Sequence, residues 1–112
     1  MKLVILESPF AGISKGDEIE RRNIAYARRA VRDSLLRGES PIASHLLYTQ
    51  EGILDDSIPE ERQRGIDAGL AWKSVAHGSV VYMDHGLSRG MMYGIAKAES
   101  AGIPVDYRLI GK

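Results

Sequence analysis

The chain contains no cysteine, which excludes disulfides, thiolate nucleophiles and cysteine-bound metals. It carries no excess charge, because 15 Lys and Arg residues balance 15 Asp and Glu residues. Without an overall positive field, we expect no nucleic acid as a partner. No segment approaches the roughly 20 apolar residues of a membrane helix, so we expect no membrane partner. The apolar run after Lys2 is too short for a secretion signal, and Glu7 follows it directly, which predicts a cytoplasmic location.

Enough apolar sequence remains to build a packed core. The 112 residues are 44% hydrophobic, which predicts a single domain over residues 1–112. Short apolar runs alternate with helical patterns, which is typical of a parallel sheet with helices on both faces. Right-handed crossovers then favour the strand order 2-1-3-4. The strands are predicted at 2–6, 41–44, 80–83 and 105–109, and the three main helices at 18–37, from about 59 to 77, and after Ser88.

The first helix has clear boundaries in the sequence. Asp17 is a suitable N-cap, and Gly38 is a natural C-terminal stop. Apolar residues recur between them at spacings of three and four, which predicts one buried stripe. The members of that stripe are Ile24, Ala27, Val31 and Leu35.

A candidate binding site lies where the predicted strands end. Ligands of open α/β sheets usually bind at the carboxyl ends of the strands, and the first N–H groups of a following helix favour an anion such as phosphate. Turns with polar and glycine residues follow strands one and three, and a histidine follows strand two. The alternative is that these glycines serve backbone geometry only. The predicted ligand-binding residues are Ser8, Pro9, Phe10, Asn23, Ser44, His45, Asp84, His85, Gly86, Ser88, Gly90 and Met91.

The same residues resemble a known pattern. The first strand ends in Ser8-Pro9-Phe10, the third ends at Asp84, and Ser88-x-Gly90-Met91 opens the last helix. This arrangement resembles the nucleoside 2-deoxyribosyltransferase-like superfamily. Further segments resemble one small uncharacterised phage and bacterial subfamily, namely Asn23 to Arg28, Ser44 to Tyr48, and Glu61-Arg62 with Gly65. The resemblance implies a small flavodoxin- or Rossmann-like three-layer α/β sandwich that binds nucleosides or nucleotides at the strand ends, often at a subunit interface.

The resemblance also implies a chemistry, from which this chain departs at one position. Enzymes of the superfamily cleave an N-glycosidic bond with a glutamate nucleophile, assisted by an aspartate. That glutamate stands one turn into the last helix, where this chain has Gly94. Either another carboxylate acts, with Asp84 and Glu7 as the catalytic candidates, or the site binds its ligand without cleaving it.

We favour binding without hydrolysis as the prediction from sequence. In a phage setting, such a protein could act as a sponge that sequesters a signalling nucleotide and so counters host defence. The alternative is an N-glycosidase or 2-deoxyribosyltransferase acting on a nucleoside or nucleotide. No cofactor is expected, and the scattered histidines predict no metal site. We also expect a homo-oligomer, because Trp72, Met91, Met92 and Tyr93 provide more apolar surface than a small sheet can cover.

Overall fold

The computed structural model describes Met1–Gly111 and contains one parallel sheet of four strands. The strand order is β2-β1-β3-β4, as the sequence predicts. In chain order the elements are β1 (Lys2–Glu7), α1 (Glu18–Leu36), β2 (Glu39–Ile42), α2 (Ser44–Leu47), α3 (Pro59–Ala71), a 3₁₀ turn (Trp72–Ser74), β3 (Gly78–Tyr82), α4 (Arg89–Ser100) and β4 (Val105–Arg108). Within residues 1–111, no helix is long and apolar enough to cross a membrane.

Two clusters of apolar side chains hold helices against opposite faces of the sheet. Val80 packs with Tyr26 and Ala30 of α1, whereas the next residue, Val81, packs with Met91 and Ile95 of α4. Successive side chains of a strand point to opposite faces, so α1 and α4 lie on opposite sides of the sheet. This arrangement is the predicted three-layer α/β fold.

The buried face of α1 differs from the predicted stripe. Tyr26, Ala27 and Ala30 are buried, whereas Leu35 is 54% exposed. Two polar residues, Asn23 and Ser34, are buried on the same face. Polar side chains can be buried when they have hydrogen-bond partners, and the Ser34 hydroxyl donates to Glu39 at 2.7 Å. The buried face predicted from apolar residues alone was therefore wrong, because the observed face is rotated by about one residue around the helix axis.

Predicted boundaries of three elements were also wrong. The third strand lies at Gly78–Tyr82 rather than at 80–83. The second strand lies at Glu39–Ile42 rather than at 41–44, and Ser44 begins the short helix α2 instead. The third helix ends at Ala71 and passes into a 3₁₀ turn, so it does not continue to about residue 77. The helix ends with specific cap signals were predicted correctly. Asp17 caps α1 and Ser88 caps α4, and Gly38 follows α1 with a φ of 86°.

Candidate functional site

A cavity of about 350 Å³ opens at the carboxyl end of β1, between the sheet, α2, α3 and α4. We call it the Glu7 cavity. Its floor is the end of β1, with Ile5 and Glu7, and the next residue, Ser8. The aromatic residues that line its wall are Phe10, Tyr48 and Tyr93. The cavity is large enough for a small-molecule ligand.

Helix α3 turns one face toward this cavity and not into a packed core. The cavity-lining residues of α3 and the turn after it recur at helical spacing, and they are Glu61, Arg62, Gly65, Ile66, Gly69, Leu70 and Lys73. No residue of α3 is fully buried. The two glycines let α3 approach its neighbours closely, since a Cβ at Gly69 would lie 3.1 Å from the Cβ of Ser44. Within residues 1–111, no side chain fills the cavity that this face of α3 borders.

The Glu7 carboxylate lies directly against Gly94 of α4. A Cβ built at Gly94 would lie 2.7 Å from Cδ of Glu7 and 3.0 Å from its Oε1. Such distances are shorter than any normal contact, so only glycine leaves room for the carboxylate in its present position. Burial raises the pKa of Glu7 to about 7, and the nearby Lys73 ammonium opposes that shift.

Lys73 brings a positive charge to the same part of the cavity. Its Nζ lies 3.9 Å from Oε2 of Glu7, and its side chain is only 9% exposed. Burial lowers the pKa of Lys73, while the attraction of Glu7 raises it. A carboxylate and an ammonium therefore face each other across a gap at the cavity floor.

A second polar pair connects β1 to α2. The Ser8 hydroxyl and Nε2 of His45 are 2.6 Å apart, and both residues line the cavity. Burial lowers the pKa of His45 to about 4, so the imidazole is neutral at physiological pH. A neutral imidazole carries one donor and one acceptor, which lets this pair hydrogen-bond a ligand of either type.

The structure brings seven of the twelve predicted ligand-binding residues to the cavity wall. These are Ser8, Phe10, Ser44, His45, Ser88, Gly90 and Met91. Met91 is buried against Val81, so it does not add to the exposed apolar surface. Within residues 1–111, no group of three His, Asp or Glu side chains is placed to hold a metal ion.

The other five predicted residues, Pro9, Asn23, Asp84, His85 and Gly86, lie outside the cavity lining. Asn23 is buried, and its Nδ2 donates to the Phe10 carbonyl at 3.0 Å. It therefore fixes the loop after β1 and does not reach the cavity.

Asp84 joins α1 to the C-terminal segment. The Tyr26 hydroxyl donates to its Oδ1 at 2.5 Å, and the N–H groups of Ile110 and Gly111 also donate to its carboxylate. Burial favours the neutral acid, but these hydrogen bonds outweigh it and lower the pKa of Asp84. The His85 ring stacks on the Tyr26 ring with centroids 4.3 Å apart. The carboxylate oxygens of Asp84 thus already accept hydrogen bonds from other parts of the protein.

Lys73 was missed by sequence reasoning. It lies in the 3₁₀ turn after α3, and the cavity-facing side of α3 continues into it through Gly65, Ile66, Gly69 and Leu70. That spacing of three and four residues, with glycines among the apolar residues, was the available signal.

Comparison with solved structures shows a shared fold. A 2-deoxyribosyltransferase from the psychrotolerant bacterium Bacillus psychrosaccharolyticus superimposes with a TM-score of 0.64 and 18% sequence identity. The match covers 98% of this chain and 74% of that one. The bacterial enzyme is described as a biocatalyst for the synthesis of antiviral and antitumoral nucleosides.

Comparison of sequences gives the family. No curated protein matches this chain. Residues 2–108 match the family described as a domain of unknown function, DUF7768. That match spans nearly the whole sequence. The chain therefore belongs to the DUF7768 family and has the fold of a nucleoside 2-deoxyribosyltransferase.

Proposed function

We propose that this protein binds a nucleoside or nucleotide in the Glu7 cavity. The observation that carries the proposal is the Glu7 carboxylate, which reaches into a mostly apolar cavity at the strand ends through the space beside Gly94. A few polar groups in an apolar cavity are typical of small-molecule sites. The likeness in fold to a nucleoside-synthesising enzyme supports nucleosides as the ligand class and a distant relationship to that superfamily.

The walls of the cavity suit both parts of a nucleoside. The rings of Phe10 and Tyr48 offer apolar surface for a planar base. Glu7, Lys73 and the Ser8–His45 pair offer charged and neutral hydrogen-bonding groups for a sugar.

Cleavage of the N-glycosidic bond is the second candidate function. The resemblance in sequence implies a nucleophilic glutamate at position 94, and the Glu7 carboxylate reaches that same place from β1. A Glu7 oxygen would attack the anomeric carbon as the bond to the base breaks, and the departing base would take up a proton from water. Water or an acceptor base would then release the sugar from its ester with Glu7.

Binding is tested by calorimetry with a panel of ribonucleosides, deoxyribonucleosides and their 5′-monophosphates. Ile66→Trp would fill the cavity from α3 and should abolish binding. Arg64→Trp adds the same side chain at an exposed position of α3 outside the cavity, and should leave binding unchanged. Failure of the whole panel to bind wild-type protein would disprove the proposal.

Cleavage is tested by incubating the protein with each bound compound and looking for free base by chromatography. Release that disappears in Glu7→Gln would support the second candidate. Recovery of the ligand intact would instead favour non-catalytic binding, of which sequestration of a signalling nucleotide is one form.

A further inference from the structure

The Glu7–Lys73 pair is an ion pair without a hydrogen bond. Nζ and Oε2 are 3.9 Å apart, beyond the usual 2.7–3.2 Å range of an N–H···O hydrogen bond. The side chains are only 16% and 9% exposed. Within residues 1–111, neither charged group makes a hydrogen bond, and both line the Glu7 cavity.

Charged groups that are this buried are normally hydrogen-bonded, because their lost hydration must be replaced. The pair therefore presents unused N–H donors from Lys73 and unused lone pairs from Glu7 to the cavity. A ligand group that both accepts and donates would satisfy the two at once.

A hydroxyl group matches this requirement better than the other common ligand groups. It can accept from Nζ and donate to Oε2, and two hydrogen bonds of about 2.8 Å span the 3.9 Å gap with an angle of roughly 90° at the hydroxyl oxygen. A phosphate would be repelled by Glu7, and an amine would be repelled by Lys73. An apolar group would leave both charges unsatisfied.

We propose that the Glu7–Lys73 pair binds a sugar hydroxyl of the ligand and so selects compounds that carry that hydroxyl. The inference rests on the proposed binding of a nucleoside or nucleotide. It makes Lys73 a specificity-determining residue. Oε1 of Glu7 is left available for the glycosidic chemistry of the second candidate function.

The test compares a bound ribonucleoside with its 2′-, 3′- and 5′-deoxy analogues by calorimetry. Hydrogen bonds to charged groups are strong, so at least one analogue should bind wild-type protein about ten- to a hundredfold more weakly than the parent. Lys73→Met should bind that analogue and the parent within about threefold of each other. Lys2→Met removes an exposed lysine outside the cavity and should discriminate as wild type does.

The ratio of the affinities for the parent and the analogue separates a role in specificity from a role in folding. Partial unfolding would weaken the binding of both ligands equally and leave this ratio unchanged. If Lys73→Met does not fold, Glu7→Gln tests the same pair and should also reduce the ratio. The inference would be overturned if the wild type bound all three analogues as tightly as the parent ribonucleoside. It would also be overturned if the folded variants discriminated between analogue and parent as strongly as the wild type does. In either case the proposal of nucleoside binding would stand. Absence of nucleoside binding altogether would overturn both proposals.

Discussion

The carboxylate of Glu7 fills the space that a side chain at Gly94 would occupy. These two residues belong to different layers of the fold, one at the end of β1 and the other in α4. A Cβ at Gly94 would lie 2.7 Å from Cδ of Glu7. The two positions are therefore coupled, and the contact with Glu7 explains why a glycine stands at position 94 inside a helix.

Gly94→Ala should stabilise the protein by less than the about 0.5–1 kcal/mol that replacing glycine with alanine inside a helix normally contributes. The added methyl group displaces the Glu7 carboxylate, which is the end of a flexible side chain beside the cavity, and the cost of this displacement offsets part of the gain. Urea denaturation measures the effect. Gly90→Ala is the matched control in α4, because its methyl would meet only Oγ of Ser88, at 4.0 Å.

The double variant Gly94→Ala/Glu7→Ala identifies the cause. In the Glu7→Ala background the carboxylate is absent, so Gly94→Ala should there give the full stabilisation of a glycine-to-alanine replacement in a helix. Additive effects of the two substitutions would show that the positions are independent, contrary to the contact between them.

Glu7→Gln should change how stability depends on pH. In the wild type the pKa of Glu7 rises from 4.5 to about 7 on folding, so the native state binds a proton more tightly than the unfolded state. This contribution is fully present below pH 4.5 and is lost as pH rises through 7. The stability of Glu7→Gln relative to wild type should therefore increase by about 3 kcal/mol between pH 4.5 and 8. If urea denaturation gave parallel pH profiles of stability for the wild type and Glu7→Gln, the raised pKa of Glu7 would be contradicted.

His45 should make the protein sensitive to acid. Folding lowers its pKa from 6.5 to about 4, so the unfolded state takes up a proton first as pH falls. Stability is thereby lost between pH 6.5 and 4, by up to about 3 kcal/mol. NMR of the ¹⁵N-labelled imidazole should find His45 neutral at pH 5.5, and His45→Gln should remove this part of the acid sensitivity. A protonated His45 at that pH would contradict the prediction.

Asp84→Asn should weaken the C-terminal segment and leave ligand binding nearly unchanged. The carboxylate holds the N–H groups of Ile110 and Gly111 and the Tyr26 hydroxyl, and it does not line the cavity. Loss of hydrogen bonds to a charged group costs about 1.5–3 kcal/mol. Hydrogen exchange should show faster exchange of the Ile110 amide. A large loss of nucleoside affinity at unchanged stability would instead return Asp84 to the binding site.

The order of elements was predictable because the sequence carries strong local signals. The run 2–6 reads as a strand covered on both faces, and Asp17 and Ser88 cap helices as expected. The orientation of α1 was not predictable from apolar spacing. The burial of two of its polar groups depends on hydrogen bonds to residues outside the helix. Ser34 donates to Glu39 in the sheet, and Tyr26 donates to Asp84, which is distant in the sequence.

The candidate site was predictable only in part, for a similar reason. Ser8, His45 and Gly90 follow strand ends or open a helix, so topology alone brings them to the cavity. Lys73 lies in the 3₁₀ turn after α3, where the continued helical spacing of the cavity-lining residues is the one sequence pattern that marks it. Asp84 lies outside the cavity because its hydrogen-bond partners are elsewhere.

The absence of any fully buried residue in α3 has a consequence for motion. A helix without its own packed core opens at little free-energy cost, so its amides should exchange with solvent sooner than those of α1 or α4. A ligand in the Glu7 cavity would add apolar contacts to the cavity-facing side of α3. Ligand binding would then be coupled to the ordering of this helix. Slower hydrogen exchange of the α3 amides would show directly that the cavity is occupied.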